Sequence, residues 1–586
     1  QYDSRSDRDR LFERNSIAIR TVTGKGGAPR GASCTQASVN AGGKVAGGCG
    51  LQGAFLANAD LRGVSLAGAR LDGGSLTGAD LRTTDLTGAS LVNVSTRGAV
   101  WSSDEQEGLA FPNDGEDIAS AIDGAKSRVD IIIYTIGGPE IVGEASKPGA
   151  LMRAVSRGVD VRVIINSGNK GCKIKPPADQ GPCLRSYMFD SWYAIQQSLK
   201  TAQQNPLPPS KGGTGKAGNF EIRFSSQNFQ ITHQKTILID AFDDKGEPSI
   251  GNGSLALVST GNLDSFGVGS TATNKAAGWG TSRYNAKYLT NPSASCGGTK
   301  GCGEDWAARD FAVLVTDKEL LQRIASVYAS DANCDTWASS PVYSQLLNST
   351  LPDTWANGTL LADGSSYPVI GSPAFYAGDE ANPLLQATPQ GNSRSRTLRL
   401  IDSAQKSLIV YNEEMADPDV MHALVRASRE RKVDVGVVMS EVFCTLDPKQ
   451  PPCVDGQPLP SRSYDYLTAN GVKVTVLDKA DSDTGAGLYI HAKAIVADGT
   501  DGFMGSENFG YGSMNANREL GLMLTNRADP TTVASGVPSI ESVSGIAKIQ
   551  SAFATDSDIS TSGGVAYDTS KVYPGAPGPV QTYPWP

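Results

Sequence analysis

Histidine is the scarcest chemically useful residue in this sequence: three occur in 586 residues, at positions 233, 422 and 491. So few leave no histidine-rich metal site, and the nine cysteines include no CxxC pair to build a zinc site instead. No metal or other cofactor is expected to be required. Long apolar runs are missing as well. None approaches the roughly 18 residues of a membrane-spanning helix, so contact with a bilayer is expected to be peripheral. The third absence is a basic excess. Lys and Arg number 52 against 61 Asp and Glu, a formal net charge of −9, whereas nonspecific nucleic-acid binding draws its affinity from neutralised phosphates. Nucleic acid is therefore the less favoured substrate.

What is present is the texture of a folded protein, 39% hydrophobic and 19% charged. Its length exceeds what one hydrophobic core organises, so several domains or an internal duplication are expected. The close pairs Cys34/Cys49, Cys172/Cys183, Cys296/Cys302 and Cys444/Cys453 lie in Gly/Pro-rich sequence. They read as local loop disulfides of an oxidising compartment, with Cys334 left over. The chain starts at Gln1 with no apolar leader, as a processed secreted protein would. Asn93, Asn252, Asn348 and Asn357 head glycosylation sequons that matter only in a eukaryotic secretory pathway. A monomer is expected rather than an oligomer.

The clearest repeat has a period of five. Leu51, Leu56, Leu61, Leu66, Leu71, Leu76, Leu81, Leu86 and Leu91 follow one another without a break, with Ala59, Ala69, Ala79 and Ala89 two before their leucines. Five matches neither the 3.6 of a helix nor the 2 of a strand. A square solenoid accommodates it, with one unit per side, leucine inside and the small residue in a corner. The segment resembles a pentapeptide-repeat domain, which implies a short right-handed β-helix over 49–98. A cap over 1–48 and packing against the following domain should support it. Its expected role is structural or docking.

From about residue 104 the chain alternates helix and strand. "IASAIDGAKSRVDIIIYTI" reads as an amphipathic helix entering a buried strand at 129–136, and "ALMRAVSRGVDVRVIIN" repeats the pattern. The pattern returns at 400–415 and again in "VMHALVRASRERKVDVGVVMS". Two similar α/β halves with mixed sheets are expected, at 104–345 and 365–560. A linker at 346–364 should join them, and an extended Pro-rich tail at 561–586 should follow.

Two of the three histidines share one frame. "ITHQKTILID" holds His233, Lys235 and Asp240, and "YIHAKAIVAD" holds His491, Lys493 and Asp498. By composition, Lys at +2 and Asp at +7 would follow a given His about once in several hundred cases. On a strand, i and i+2 face one way, so each His–Lys pair should point to one side. Packed face to face, the halves would bring both pairs together. Each motif is followed by a small polar cluster. "STGNLDS" supplies Ser259, Thr260 and Asn262, and "GSENFG" supplies Ser506 and Asn508. Asp310 and Glu519 then each precede an apolar run. His422 reads as a helix packing residue, while Glu413 and Glu414 at a strand end either line the site or face solvent.

Duplicated HxKx4D motifs with a GSxN-type segment resemble the phospholipase D superfamily across about 104–555. The first copy departs from it, with Ser259 and Thr260 where Gly-Ser would stand. The resemblance implies His233 as nucleophile and His491 as general acid and then base. Lys235, Lys493, Asn262 and Asn508 would hold the phosphoryl oxygens, Asp310 and Glu519 would orient the imidazoles, and Asp240 and Asp498 would be structural. It implies a phosphohistidine intermediate and a phospholipid substrate at a membrane surface. A secreted nuclease of the same superfamily stays open, as does a toxin-like or surface-binding protein targeted by the repeat.

Overall fold

The structure is a computed structural model. It describes alternating positions through the repeat and most of 106–566, apart from segments of which 167–185, 264–305, 334–384, 441–459 and 478–486 are the longest. The nine cysteines, the sequons at 93, 348 and 357, the N-terminal segment 1–48 and the linker 346–364 lie outside the described residues. Asn252 sits exposed in a turn.

The first half runs β1 (Glu107–Phe111), α1 (Gly115–Gly124), β2 (Arg128–Ile133), α2 (Ala150–Arg157), β3 (Asp160–Ile165), α3 (Ser186–Gln203) and β4 (Phe220–Phe224). It continues through β5 (Thr236–Ile239), β6 (Leu255–Ser259), β7 (Trp306–Val315) and α4 (Lys318–Asn333). The second runs β8 (Leu385–Ala387), α5 (Ser393–Ser403), β9 (Ser407–Tyr411), α6 (Pro418–Val425), β10 (Asp434–Ser440), α7 (Pro460–Ala469) and β11 (Lys473–Leu477). Then follow β12 (Gly487–Ile490), β13 (Ala494–Ala497), β14 (Asp501–Gly505), β15 (Leu520–Thr525) and α8 (Val543–Asp556).

The first sheet is ordered β1-β7-β6-β5-β2-β3-β4, the second β8-β15-β14-β13-β9-β10-β11. These are the same order. In both, helical crossovers join a parallel trio of strands, and the following strands return antiparallel. Val565–Ala566 adds a short strand beside β11, so residues assigned to the tail belong to the second sheet.

Strand alternation divides the core. Val129, Ile131 and Ile133 face the helices of their own half, while Ile132 turns the other way. Leu408 and Val410 likewise face their own helices, and Tyr411 turns away. The inward residues of both sheets form one central cluster with Leu320 and Ile324 of α4 and Ile546 and Ile549 of α8. Strands buried on both faces explain near-continuous apolar runs such as "VDIII", broken only by the buried Asp130.

Two buried ion pairs tie the halves reciprocally. Arg309 of the first half meets Asp556 on α8 at 2.8 Å, and Arg518 of the second meets Asp331 on α4 at 3.0 Å. Tyr411 also donates to Asp556, at 2.7 Å.

In the repeat, all nine leucines from Leu51 to Leu91 are buried in one cluster. Leu51, Leu56 and Leu61 donate backbone N–H to the carbonyls of Arg70, Ser75 and Asp80. Each step spans one coil of four five-residue units. Among the described residues, the solenoid's apolar contacts run to the second half and not to the half that follows it in sequence. Val543 and Ala547 of α8 pack on its cluster, and Leu91 N–H donates to Ser551 Oγ at 3.0 Å. Among the described residues no helix is long and apolar enough to cross a membrane.

Candidate active site

The His–Lys pairs do not lie within strands, as their spacing suggests, but in irregular backbone just before β5 and β13. The reason is a change of partner. The backbone N–H groups of His233 and Gln234 donate to Arg518 O of the opposite half, while Lys235 O accepts from Ser259 N of its own. Similarly His491 N–H donates to Arg309 O, and Lys493 O accepts from Gly505 N. β12 pairs in parallel with β7 just before this switch. A continuous strand cannot hold both registers, so regular pairing breaks at the motif.

Because the partner swapped in is the residue before each acid, histidines and carboxylates pair across the halves. His233 Nδ1 lies 2.9 Å from Glu519 Oε2 and 3.0 Å from Ser506 O. His491 Nδ1 lies 3.1 Å from Asp310 Oδ1. These partners only accept, so Nδ1 carries the proton in both rings and Nε2 is left for chemistry. Burial pushes His233 down to about 4, with Glu519 opposing and Lys235 assisting. Burial opposes ionisation of Glu519 too, yet its imidazole partner holds the carboxyl below its usual range. The pair is therefore a neutral imidazole on a carboxylate.

Burial and then the repulsion of Lys493 bring Lys235 down to about 7. Both motifs thus act in one electrostatic site. Each ammonium also caps its own motif, Lys235 Nζ donating to His233 O at 2.6 Å and Lys493 Nζ to His491 O. Thr260 Oγ1 donates to Asp310 at 2.6 Å, and Ser506 bonds Glu519, so these hydroxyls set the acids. Asn262 and Asn508 each keep a buried side-chain oxygen without a partner among the described residues.

Asp240 and Asp498 stand apart from this chemistry. Both adopt positive φ, 50° and 52°, in the turns that end β5 and β13. Asp240 accepts from the backbone N–H of Lys126, Ser127 and Arg128, and Asp498 from Gln405, Lys406 and Ser407. They tie each motif's strand to the start of its neighbour. His422 is also elsewhere, on α6 with its ring 5.9 Å from Tyr466.

Glu413 does line the site. It forms an ion pair with Lys493 at 3.0 Å, accepts from Asn508 at 3.2 Å and lies 3.5 Å from His491 Nε2. Burial and Glu413 raise its neighbour Glu414 to about 7. Burial and Glu519 raise Glu507, inside "GSENFG", to about 8. The sequence does not single out Tyr134, which packs edge-on against His233 at 5.3 Å. Nor does it single out the Arg309–Asp556 and Arg518–Asp331 pairs behind the motifs. Adjacency to the two acids is their only local signal.

A family model described as "Cardiolipin synthase, PLD-like domain" matches residues 118–275 and 397–535, just over half of the chain. A pentapeptide-repeat model matches 48–78 and 59–99. No curated protein gives a significant match. Among solved structures, the phospholipase D family member Nuc from Salmonella typhimurium is 21% identical, covering 32% of this chain and 97% of its own, with a TM-score of 0.23. Phosphatidylserine synthase from Haemophilus influenzae Rd KW20 is 15% identical, covering 72% of this chain and 82% of its own, TM-score 0.43. Polyphosphate kinase from Porphyromonas gingivalis is 13% identical, covering 73% and 45%, TM-score 0.35. Two matched segments, each enclosing one HxKx4D motif, make the chain a member of the phospholipase D-like family with an N-terminal pentapeptide repeat.

Proposed function

We propose that this protein is a secreted phosphodiesterase that removes head groups from phospholipids through a phosphohistidine intermediate. One observation carries the reading: a buried, neutral His233, its Nδ1–H engaged by Glu519, shares a site with a second histidine held by Asp310.

Phosphodiester cleavage needs a nucleophile, a proton donor for the departing oxygen and positive charge around the phosphoryl group. His233 Nε2 attacks phosphorus, and the bond from phosphorus to the head-group oxygen breaks. Protonated His491 gives its Nε2 proton to that oxygen. Now neutral, His491 takes a proton from water, the resulting hydroxide attacks phosphorus, and the phosphorus–nitrogen bond breaks. An alcohol in place of water yields a transferred phosphatidyl group by the same steps. Lys235, Lys493, Asn262 and Asn508 stabilise the phosphoryl oxygens, with no metal in the scheme. The close cysteine pairs support an oxidising, extracellular setting, and the negative net charge favours lipid over nucleic acid.

The test is head-group release from mixed phospholipid vesicles with EDTA present, for wild type, His233→Ala and His491→Ala. Release by wild type and a loss of at least about 10³-fold in each variant is expected. Phosphatidic acid as product identifies hydrolysis, and a new lipid ester identifies transfer. No release from any lipid by the folded protein sinks the lipid assignment and brings the nuclease reading forward.

A further inference from the structure

The two half-sites share a register, which identifies equivalent residues. Ile132 pairs with Thr236 and Tyr411 with Ala494, the residues that follow the two motif lysines. Two positions further along each strand stand Tyr134 and Glu413. The parallel bridges Ile136–Leu263 and Met415–Phe509 confirm the alignment beyond them. The duplicated scaffold therefore sets an aromatic ring beside His233 and a carboxylate beside His491.

The carboxylate is well placed. Only 8% of the Glu413 side chain is exposed, and Oε2 lies 3.0 Å from Lys493 Nζ, 3.2 Å from Asn508 Nδ2 and 3.5 Å from His491 Nε2. His491 thus has a carboxylate at each ring nitrogen, Asp310 at Nδ1 and Glu413 at Nε2. His233 has Glu519 at Nδ1 and the Tyr134 ring at its side. Among the described residues no ion pair joins Lys235 to a carboxylate, whereas Lys493 has Glu413. One anion next to Nε2 favours the ring that carries a proton there.

We infer that Glu413 is the positioning residue that makes the two half-sites unequal: it holds the proton on His491 Nε2 and so commits that histidine to acid duty. His233, with no such carboxylate at Nε2 among the described residues, keeps a free lone pair and becomes the nucleophile. Glu413 stays a carboxylate throughout. The proton moves from His491 Nε2 to the departing oxygen as the phosphorus–oxygen bond breaks, and Glu413 itself exchanges no proton. The inference rests on the phosphodiesterase reading proposed above.

A leaving-group comparison tests it. Phosphatidylcholine and phosphatidyl-p-nitrophenol form the same phosphohistidine but expel an alkoxide and a phenolate respectively. Only the alkoxide needs protonation. With Glu413→Gln, kcat/KM for phosphatidylcholine should fall about hundredfold, and that for the nitrophenyl ester by less than about threefold. Glu413→Asp should recover part of the loss. Retained activity on the activated ester doubles as evidence of folding, and if Glu413→Gln does not fold, Glu413→Asp is read in the same way. Equal losses on both esters by a folded variant would assign Glu413 to packing and overturn the inference. A gain on both would mean that it merely occupies the phosphate's place, which also overturns it. Wild type inactive on both esters removes the phosphodiesterase reading itself and this inference with it.

Discussion

The two halves have one strand order and one set of supporting contacts, yet their sites are not copies. Where the second half places Glu413, Glu414 and Glu507, the same register in the first gives Tyr134, Thr135 and Gly261. At Gly261 there is no space for a side chain, because a Cβ would stand 2.5 Å from the Asp310 carboxyl. Glu413 and Glu414 therefore stand beside Lys493, while Glu507 acts on Glu519 and Lys235 of the other pair. Burial, then Glu413, lifts Glu414 to about 7, and burial, then Glu519, lifts Glu507 to about 8, so these two second-half acids stand near the edge of ionisation. Duplication supplies a symmetric frame, and single side chains at equivalent positions make its two half-sites chemically unequal.

The shared frame is the first place to press the comparison. Asp331→Ala leaves Arg518 buried without its carboxylate, and Asp556→Ala does the same to Arg309. Each should cost about 3–5 kcal/mol in urea unfolding, since a buried charge stripped of its partner is heavily penalised. Similar losses in both variants establish equivalent supports. A loss in one alone breaks the equivalence.

The crossed acids come next. Glu519→Gln and Asp310→Asn should each lower kcat about hundredfold with the fold intact, because the ring loses its fixed tautomer. They should differ in titration. Glu519 opposes the fall of the His233 pKa, so Glu519→Gln should move that ring further below about 4, as NMR of the imidazole would show. An unchanged or raised His233 pKa would argue against the cross-half pairing.

The smallest effect concerns Lys235. Its pKa of about 7 in the free protein means that, above pH 7, a phosphodiester anion binds only after proton uptake. Affinity for a non-cleavable phosphodiester analogue should hold below pH 7 and fall by up to about tenfold per unit above it. Ionisation of Glu414 acts in the same direction. Glu507, raised to about 8, adds to it, and Lys235→Arg separates the lysine from the acids, because arginine stays charged and leaves only the share of Glu414 and Glu507. A pH-independent wild type would contradict the lowered lysine.

Much of this was legible in advance because it is local. Period-five leucines dictate a solenoid, and one coil closes after four units as the Leu51–Arg70 bond shows. Near-continuous apolar strands announce sheets covered on both faces. A frame repeated as HxKx4D marks the candidate site whatever lies between the copies. Two readings needed correction. The motifs sit in broken backbone, because one stretch bonds to both halves in succession. The end of the second half extends to Val565–Ala566, a pairing that composition does not reveal.

Sequence order and residue type determined which elements form, that the α/β unit is duplicated, and which histidines and lysines carry the repeated frame of the candidate site. These properties depend on periodicity and short spacing, both properties of the chain itself. Only the tertiary structure decided that Glu519 serves His233 and Asp310 serves His491, that Glu413 lies beside one imidazole and Tyr134 beside the other, and that the solenoid rests on α8. Each of these joins residues tens to hundreds of positions apart. Such contacts are fixed by how two sheets share one core, and no local pattern encodes that packing.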